Sequence, residues 1–476
     1  MTTTDRYTAQ PAEATTGPDL APASGTARPE AGYRNPNNDT RPAVAPQPLL
    51  RRARLGSPVS PPSRWRAVGA SAARSVVLRL LERMKSDTLV VVESNRRHRF
   101  GGNEQHPHKL SATVTIIDDR AWAAILREGS IGLGRGYIEG WWHSDDPTSV
   151  VQILIRNLHG LDDVRNRVGR LTGAVGDGAR RAMPRNSRRR NREEIGAHYN
   201  LGNEFFRLFL DETMTYSAGV FANGLVDLKA ASLAKYDRLV AKLGVGPQHD
   251  VLEIGTGWGG MAIRTAEQRG AFVTTTTVSD RQLEETEARL ARSRAGNRVE
   301  LLNRDWRDLS GTFDRIVSIE MIEAVDWRDY NRFFSTIEDC LAADGMVGLQ
   351  AICVPDRRYE RAKNTEDFIR RFVFPGGFLP SIGALARSVG RATRLQILDI
   401  EDLSAHYAET LRRWRHRFDD RLDEVQALGL DDRFCRLWRF YLAYCEAGFL
   451  ERHCTVNQIV LVGPEWRPDG LGLRPV

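Results

Sequence analysis

The stretch DVLEIGTGWGGMAI, beginning at Asp250, limits the fold more than any other part of the chain. Four of the six residues from Gly255 to Gly260 are glycine, directly behind an apolar run. An apolar strand, a glycine turn and a helical pattern from Gly259 to Arg269 make the first βα unit of a parallel sheet. Such a turn lets the backbone approach a ligand at the carboxyl ends of the strands. The turn alone does not fix the ligand. No GK[ST] follows, which excludes a phosphate-cradling P-loop. After GxG the next glycine comes one residue early, so only part of the dinucleotide fingerprint is matched and a dehydrogenase stays open. Glu253, just ahead of the turn, would be misplaced beside a pyrophosphate and suits a cationic ligand group. A strand-end carboxylate capping a helix is the plainer alternative.

With DVLEI, the segments AFVTTTTV, RVELLN, FDRIVSI, MVGLQAI, RLQILDI (394–400) and TVNQIVLVG (455–463) supply seven strands. Their alternation with helical segments predicts an α/β fold with a parallel sheet covered on both faces. Residues 403–450 read as helices inserted over that sheet. Upstream, SVVLRLLERM (75–84) has helical spacing, and TLVVVES (88–94) and SATVTIID (111–118) read as strands. EGSIGLGRGYIEGWW (128–142) is rich in glycine. The expected organisation is a disordered head at 1–62, a small α+β domain at 63–160, a basic linker at 161–195 and the α/β domain at 196–476. The head is polar and rich in Pro, Ala and Thr, a composition that cannot bury enough surface to offset ordering entropy.

The net charge of +7 is unevenly spread: residues 165–192 carry ten arginines against the single acid Asp177. Such a run attracts polyanions, either nucleic acid or an anionic bilayer, unless it is merely a solvated linker. It lacks the interleaved aromatics that stack bases, so no nucleic acid is expected. The five cysteines have no metal-ligand CxxC spacing, so no metal is expected, and their odd, sparse use suits a reducing cytoplasm. No apolar run reaches the ~18 residues of a membrane span.

Six further motifs stand in one order: AHYNLGNEFFRLFLDETMTYSAGVF (197–221), VLEIGTGWGG, TVSDRQ, FDRIVSIEMIEAV, LQAI and FVFPGGFLPS. In that order they resemble the cyclopropane-fatty-acyl-phospholipid synthases and mycolic acid methyltransferases, over roughly 64–463. The resemblance implies a Rossmann-like seven-stranded methyltransferase sheet with a helical insertion, preceded by a small α+β N-terminal domain. It implies S-adenosylmethionine as donor and the cis double bond of a membrane phospholipid acyl chain as acceptor. Tyr216 and Ser217 would close over the methionine part of the donor, Gly255 and Gly257 would lie under it, and Glu253 would face its cationic end. Thr277 and Gln282 would hold the ribose region, and Asp305 and Trp306 would flank the adenine. Many methyltransferases end the second strand in an acid for the ribose hydroxyls. Here it ends in TTTTVS, so that contact falls to Gln282.

The resemblance also implies a bound bicarbonate as the base, cradled by Glu323, the Ile352 backbone and Tyr407. Two cradle positions depart from the family: Gln350 stands where many members have His, and Ala218 where many have Cys. Glu320, one helical turn before Glu323, reads as a salt-bridging residue, with a reach into the pocket as the alternative. Tyr407, Phe374 and Trp414 are candidates to stabilise a carbocation. The expected product is a cyclopropane fatty acyl chain. The altered cradle keeps open a methylene branch, which a partner reductase would turn into a methyl branch. His198 reads as structural or donor-binding, and FPGGFLPS (374–381) as the acyl entrance. The arginine-rich run would dock on the anionic inner face of the membrane, and the family suggests a homodimer. Two other readings remain: a methyltransferase of a soluble natural product, and a non-catalytic lipid-binding protein.

Overall fold

The computed structural model describes residues 69–102, 108–157, 201–222, 224 and 227–468. The expected disordered head, the arginine-rich run 165–192 and His198 lie outside the described residues.

A small four-stranded sheet comes first. Helix α1 (Ala70–Leu81) precedes β1 (Thr88–Glu93), β2 (Arg96–Gly101) and β3 (Ser111–Ile116); α2 (Arg120–Glu128), α3 (Ser130–Ile138) and β4 (Trp142–His143) follow. The spatial order is β2-β1-β3-β4, with β1 antiparallel to β2 and parallel to β3. β3 alternates strictly, burying Ala112, Val114 and Ile116 on one face, as a period of two dictates. Three glycines make the sequence of α3 a poor helix former, yet the helix forms because those positions admit neighbours a side chain would exclude. A Cβ on Gly134 would lie 2.2 Å from the Phe368 ring, and one on Gly136 would lie 2.8 Å from Trp142.

The second sheet has seven strands in the order β10-β11-β9-β8-β5-β6-β7. They are β5 (Asp250–Ile254), β6 (Phe272–Thr277), β7 (Val299–Asn303), β8 (Phe313–Ile319), β9 (Leu341–Cys353), β10 (Gln396–Asp402) and β11 (Thr455–Val462). All seven fall on segments read as strands from sequence. The expected all-parallel sheet needs one correction: β11 runs antiparallel to both β9 and β10. The cause is the insertion. After β10 the chain forms α12 (Ser404–Asp419), α13 (Leu422–Ala427) and α14 (Asp432–Leu450). It returns at the same edge, with Thr455 paired to Cys353 at the carboxyl end of β9. A strand re-entering there must run backwards, and the three helices are left over the carboxyl edge.

The other helices of this region are α4 (Asn203–Phe209), α5 (Leu228–Lys242), α6 (Gly260–Arg269), α7 (Asp280–Leu290), α8 (Tyr330–Asp339), α9 (Asp356–Asn364), α10 (Phe368–Phe372) and α11 (Ile382–Ala392). Side-chain caps start several of them: Asp227 accepts from Ala230 N, Ser279 from Gln282 N and Asp431 from Phe434 N, each satisfying a donor the helix cannot. Two apolar clusters cover the two faces of the large sheet. A third runs unbroken from the small sheet into α4, α12 and α14, so both sheets belong to one compact unit. Polar contacts cross the same seam. Thr148 donates to Glu446 at 3.2 Å, and Arg156 donates to both Glu451 (2.8 Å) and Asp87 (2.9 Å). No helix among the described residues is long and apolar enough to cross a membrane.

Candidate active site

The glycine turn sits at the carboxyl end of β5, with φ of +98° at Gly255 and +55° at Gly257, a region L side chains avoid. A Cβ on Gly257 would meet nothing within 4 Å, so the turn opens onto free space. The buried Thr256 hydroxyl between them has no protein partner. Sequence reasoning passed over Thr256, and only its place inside the turn would have pointed to it. At the end of β6, Thr277 donates to Gln282 Oε1 at 2.9 Å. Gln282 is therefore buried at the start of α7 rather than exposed. At the end of β7, Asp305 is held by Arg307 at 3.0 Å, and Trp306 packs edge-on against Phe333. Glu253 is fully buried and accepts from Thr275 at 2.6 Å. Burial pushes its carboxyl up to about 7 against the pull of Thr275 and Lys235. Ser217 accepts from the Lys235 ammonium at 2.5 Å, and the Tyr216 hydroxyl meets that of Tyr441 at 2.8 Å.

Next to this turn, two glutamates close the end of β8. Glu320 adopts φ +50°. Its Oε1 accepts from the Ala218 N–H at 2.9 Å and from Gln350 Nε2 at 2.7 Å, and its Oε2 accepts from the Tyr407 hydroxyl at 2.9 Å. Glu323 accepts the Ile352 N–H at 2.6 Å, and its Oε2 is buried without a partner. The groups expected around a bicarbonate thus divide: Ile352 goes to Glu323, while Tyr407, Gln350 and Ala218 converge on Glu320.

Burial raises both carboxyls, but not equally in kind. Glu320 is pulled back down by Lys235 and its three donors. Glu323 is pushed further up by the charge of Glu320, to about 8. Neighbouring buried carboxyls resist ionising together, and Lys235 and the three donors favour the charge on Glu320 over Glu323.

Both glutamates line a cavity of about 920 Å³ that also takes in Tyr216, Tyr407 and Tyr441. The turn Phe374–Gly377 forms part of its wall, pinned where Phe378 N donates to Glu323 O at 2.8 Å. Trp414 does not line it but backs Tyr216, with ring centroids 5.3 Å apart. Beyond the glutamates the wall is built by Leu81, Val114, Leu126 and Leu133 of the small-sheet region. The arrangement joins an open glycine turn, a pair of hydrogen-bonded carboxyls and a large, mainly apolar cavity.

A seven-stranded sheet with one reversed strand, carrying this turn, defines an S-adenosylmethionine-dependent methyltransferase. The chain belongs to the family described as mycolic acid cyclopropane synthetase, which it matches over residues 186–459. It is 40% identical over 414 residues to the tuberculostearic acid methyltransferase of Mycobacterium tuberculosis, covering 84% of this chain and 95% of that one. It is 32% identical over 355 residues to the cyclopropane-fatty-acyl-phospholipid synthase of Escherichia coli K12, covering 73% and 87%. Among solved structures, a mycolic acid cyclopropane synthase complexed with SAH and CTAB superposes with a TM-score of 0.53 at 31% identity, covering 57% of this chain and 98% of that one.

The residues fit S-adenosylmethionine: the open space at Gly257 and the orphaned Thr256 hydroxyl lie where the donor would rest. They do not fit a bicarbonate. The Ala218, Gln350 and Tyr407 donors are spent on Glu320, and the Ile352 N–H is spent on Glu323.

Proposed function

We propose that the chain methylates the cis double bond of an unsaturated acyl chain in a membrane phospholipid, and that Glu320 is the base that completes the reaction. The observation that carries this reading is the convergence of Ala218, Gln350 and Tyr407 on the Glu320 carboxylate inside the apolar cavity.

The donor supplies an electrophilic methyl on a sulfonium. The protein holds the alkene in line with it, which removes much of the entropic barrier. The apolar bore keeps water from the carbocation left on the acyl chain. Tyr407 and Phe374 line the cavity and bring aromatic rings towards that charge. The alkene pair forms the new C–C bond as the methyl–sulfur bond breaks, its electron pair leaving with the thioether sulfur, and one proton must then leave. Loss from the new methyl closes a cyclopropane. If a 1,2-hydride shift first moves the charge to the methyl-bearing carbon, loss of a methyl proton leaves a methylene branch on the chain instead. Glu320 accepts that proton. We assign the methylene-branched product, in keeping with the relative named as a methyltransferase. The relative named as a cyclopropane synthase favours the other outcome.

The test is mass spectrometry of lipids from an oleate-fed host lacking its own synthase, given labelled methionine. A labelled product one CH2 heavier that takes up hydrogen supports the methylene. Resistance to mild hydrogenation establishes the cyclopropane. The absence of any labelled lipid removes the lipid acceptor. Docking on anionic lipid through the arginine-rich run belongs to the same reading. Binding to phosphatidylglycerol vesicles should fall steeply with salt, and salt-independent binding would sink that part.

A further inference from the structure

Lys235 lies on the buried face of α5 and is fully enclosed. Its ammonium donates to Ser217 Oγ at 2.5 Å and sits 4.1 Å over the Tyr236 ring. A buried ammonium is costly unless nearby charge compensates it. The carboxylates acting on it are, in falling order, Glu320, Asp211 and Glu253. Asp211 is already served by neutral donors: the Thr213 N–H at 2.7 Å and the Ser232 hydroxyl at 2.7 Å. Glu253 is served by Thr275.

Glu320 is different, because Lys235 is tied to it from two sides. Ser217, which takes the ammonium, precedes Ala218, whose N–H binds Glu320. The Lys235 carbonyl accepts from Gln458 Nε2 at 3.4 Å. Gln458 also donates to Gln350 Oε1 at 3.1 Å, and Gln350 donates to Glu320. The loop from Lys235 through Ser217 and Ala218 to Glu320, and back through Gln350 and Gln458, is closed, and all of its residues but the cavity-lining Glu320 are buried.

We propose that Lys235 is a positioning residue whose buried ammonium keeps the Glu320 carboxylate ionised and oriented to take the proton. The inference rests on Glu320 being the base. Around the pair, Glu320 also faces Glu323 and the phenols of Tyr407 and Tyr441, and Lys235 also faces Asp211, Glu253 and the Tyr236 phenol. Of these, only Lys235 brings positive charge to Glu320. Burial lowers the ammonium to about 8, so it is charged at neutral pH.

The experiment is the pH dependence of kcat in the wild type, Lys235→Met, Lys235→Gln, Lys235→Arg and Glu320→Gln, with S-adenosylmethionine binding followed by calorimetry. Removing the cation raises the pH at which Glu320 ionises. The two neutral variants should therefore move the acid limb up by about one unit, roughly a tenfold loss on that limb. They should recover at high pH and bind the donor within a few-fold of wild type. Lys235→Arg should keep the limb near its original place. An unmoved limb in the neutral variants, a loss equal at every pH, or a loss confined to donor binding overturns the proposal. Calorimetry separates any of these from misfolding, and either neutral variant suffices. A fully active Glu320→Gln overturns the base assignment itself, a failure visible without any Lys235 variant.

Discussion

Glu320 holds a backbone conformation that costs a non-glycine residue about 1 kcal/mol. Glu320→Gly should relieve that strain but strand the three donors and the Lys235 ammonium, so the melting temperature falls, while kcat falls by about 10²- to 10⁴-fold. It would also free the Ala218, Gln350 and Tyr407 donors, so added formate or bicarbonate should restore part of the rate. No rescue, with the fold intact, would argue that the carboxylate does not act as the base. Glu323 makes a different prediction. Its native form retains up to about pH 8 a proton that the unfolded chain releases near 4.5. Native protein therefore binds more protons than unfolded protein in that window, and stability falls as pH rises through it. Glu323→Gln has no proton to lose, so its melting temperature should change less between pH 5 and 8.5 than that of the wild type. An identical pH dependence would remove Glu323 as a buried neutral acid.

At the scale of elements, the glycine turn depends on how closely α7 approaches it. A Cβ on Gly259 would lie 2.7 Å from Thr286 of α7, at a φ of +80°. Gly259→Ala should destabilise the protein by about 1–3 kcal/mol and weaken donor binding, read by thermal unfolding and calorimetry; an unchanged pair of values would refute that coupling. The seven large-sheet strands were legible because each is a short apolar run between helical patterns. The direction of β11 was not, since it depends on where a long insertion returns. β2 escaped notice because RRHRFG places three arginines and a histidine in an edge strand, and its pattern exposes all three arginines. Helix α3 escaped because its glycines argue against a helix until Phe368 and Trp142 are known to press on it. At the site, the resemblance pointed to Glu323, Tyr407, Gln350 and Ile352. The turn of the chain at Glu320, which sends three donors to that residue, leaves no mark in sequence. Lys235 did leave one, as a lysine inside the stripe Leu228, Ala231, Ser232, Tyr236 and Leu239 that α5 buries.

At the scale of the whole molecule, the bore belongs to both sheets. Leu126 lines it from the small-sheet region, far in sequence from the glutamates. Leu126→Trp should narrow it and lower activity on long acyl chains more than on short ones, read by competition between chain lengths; an unchanged preference would place the chain elsewhere. The reversal of β11 bears on how that chain gets in. The helices over the carboxyl edge are continuous with β10 at one end and β11 at the other, so they are hemmed on two sides and cannot swing away like a flap on one hinge. On the reading proposed above, an acyl chain is threaded endwise, as through the eye of a needle, and the product backs out along the same line. Slim, unbranched tails pass such an opening more readily than bulky ones.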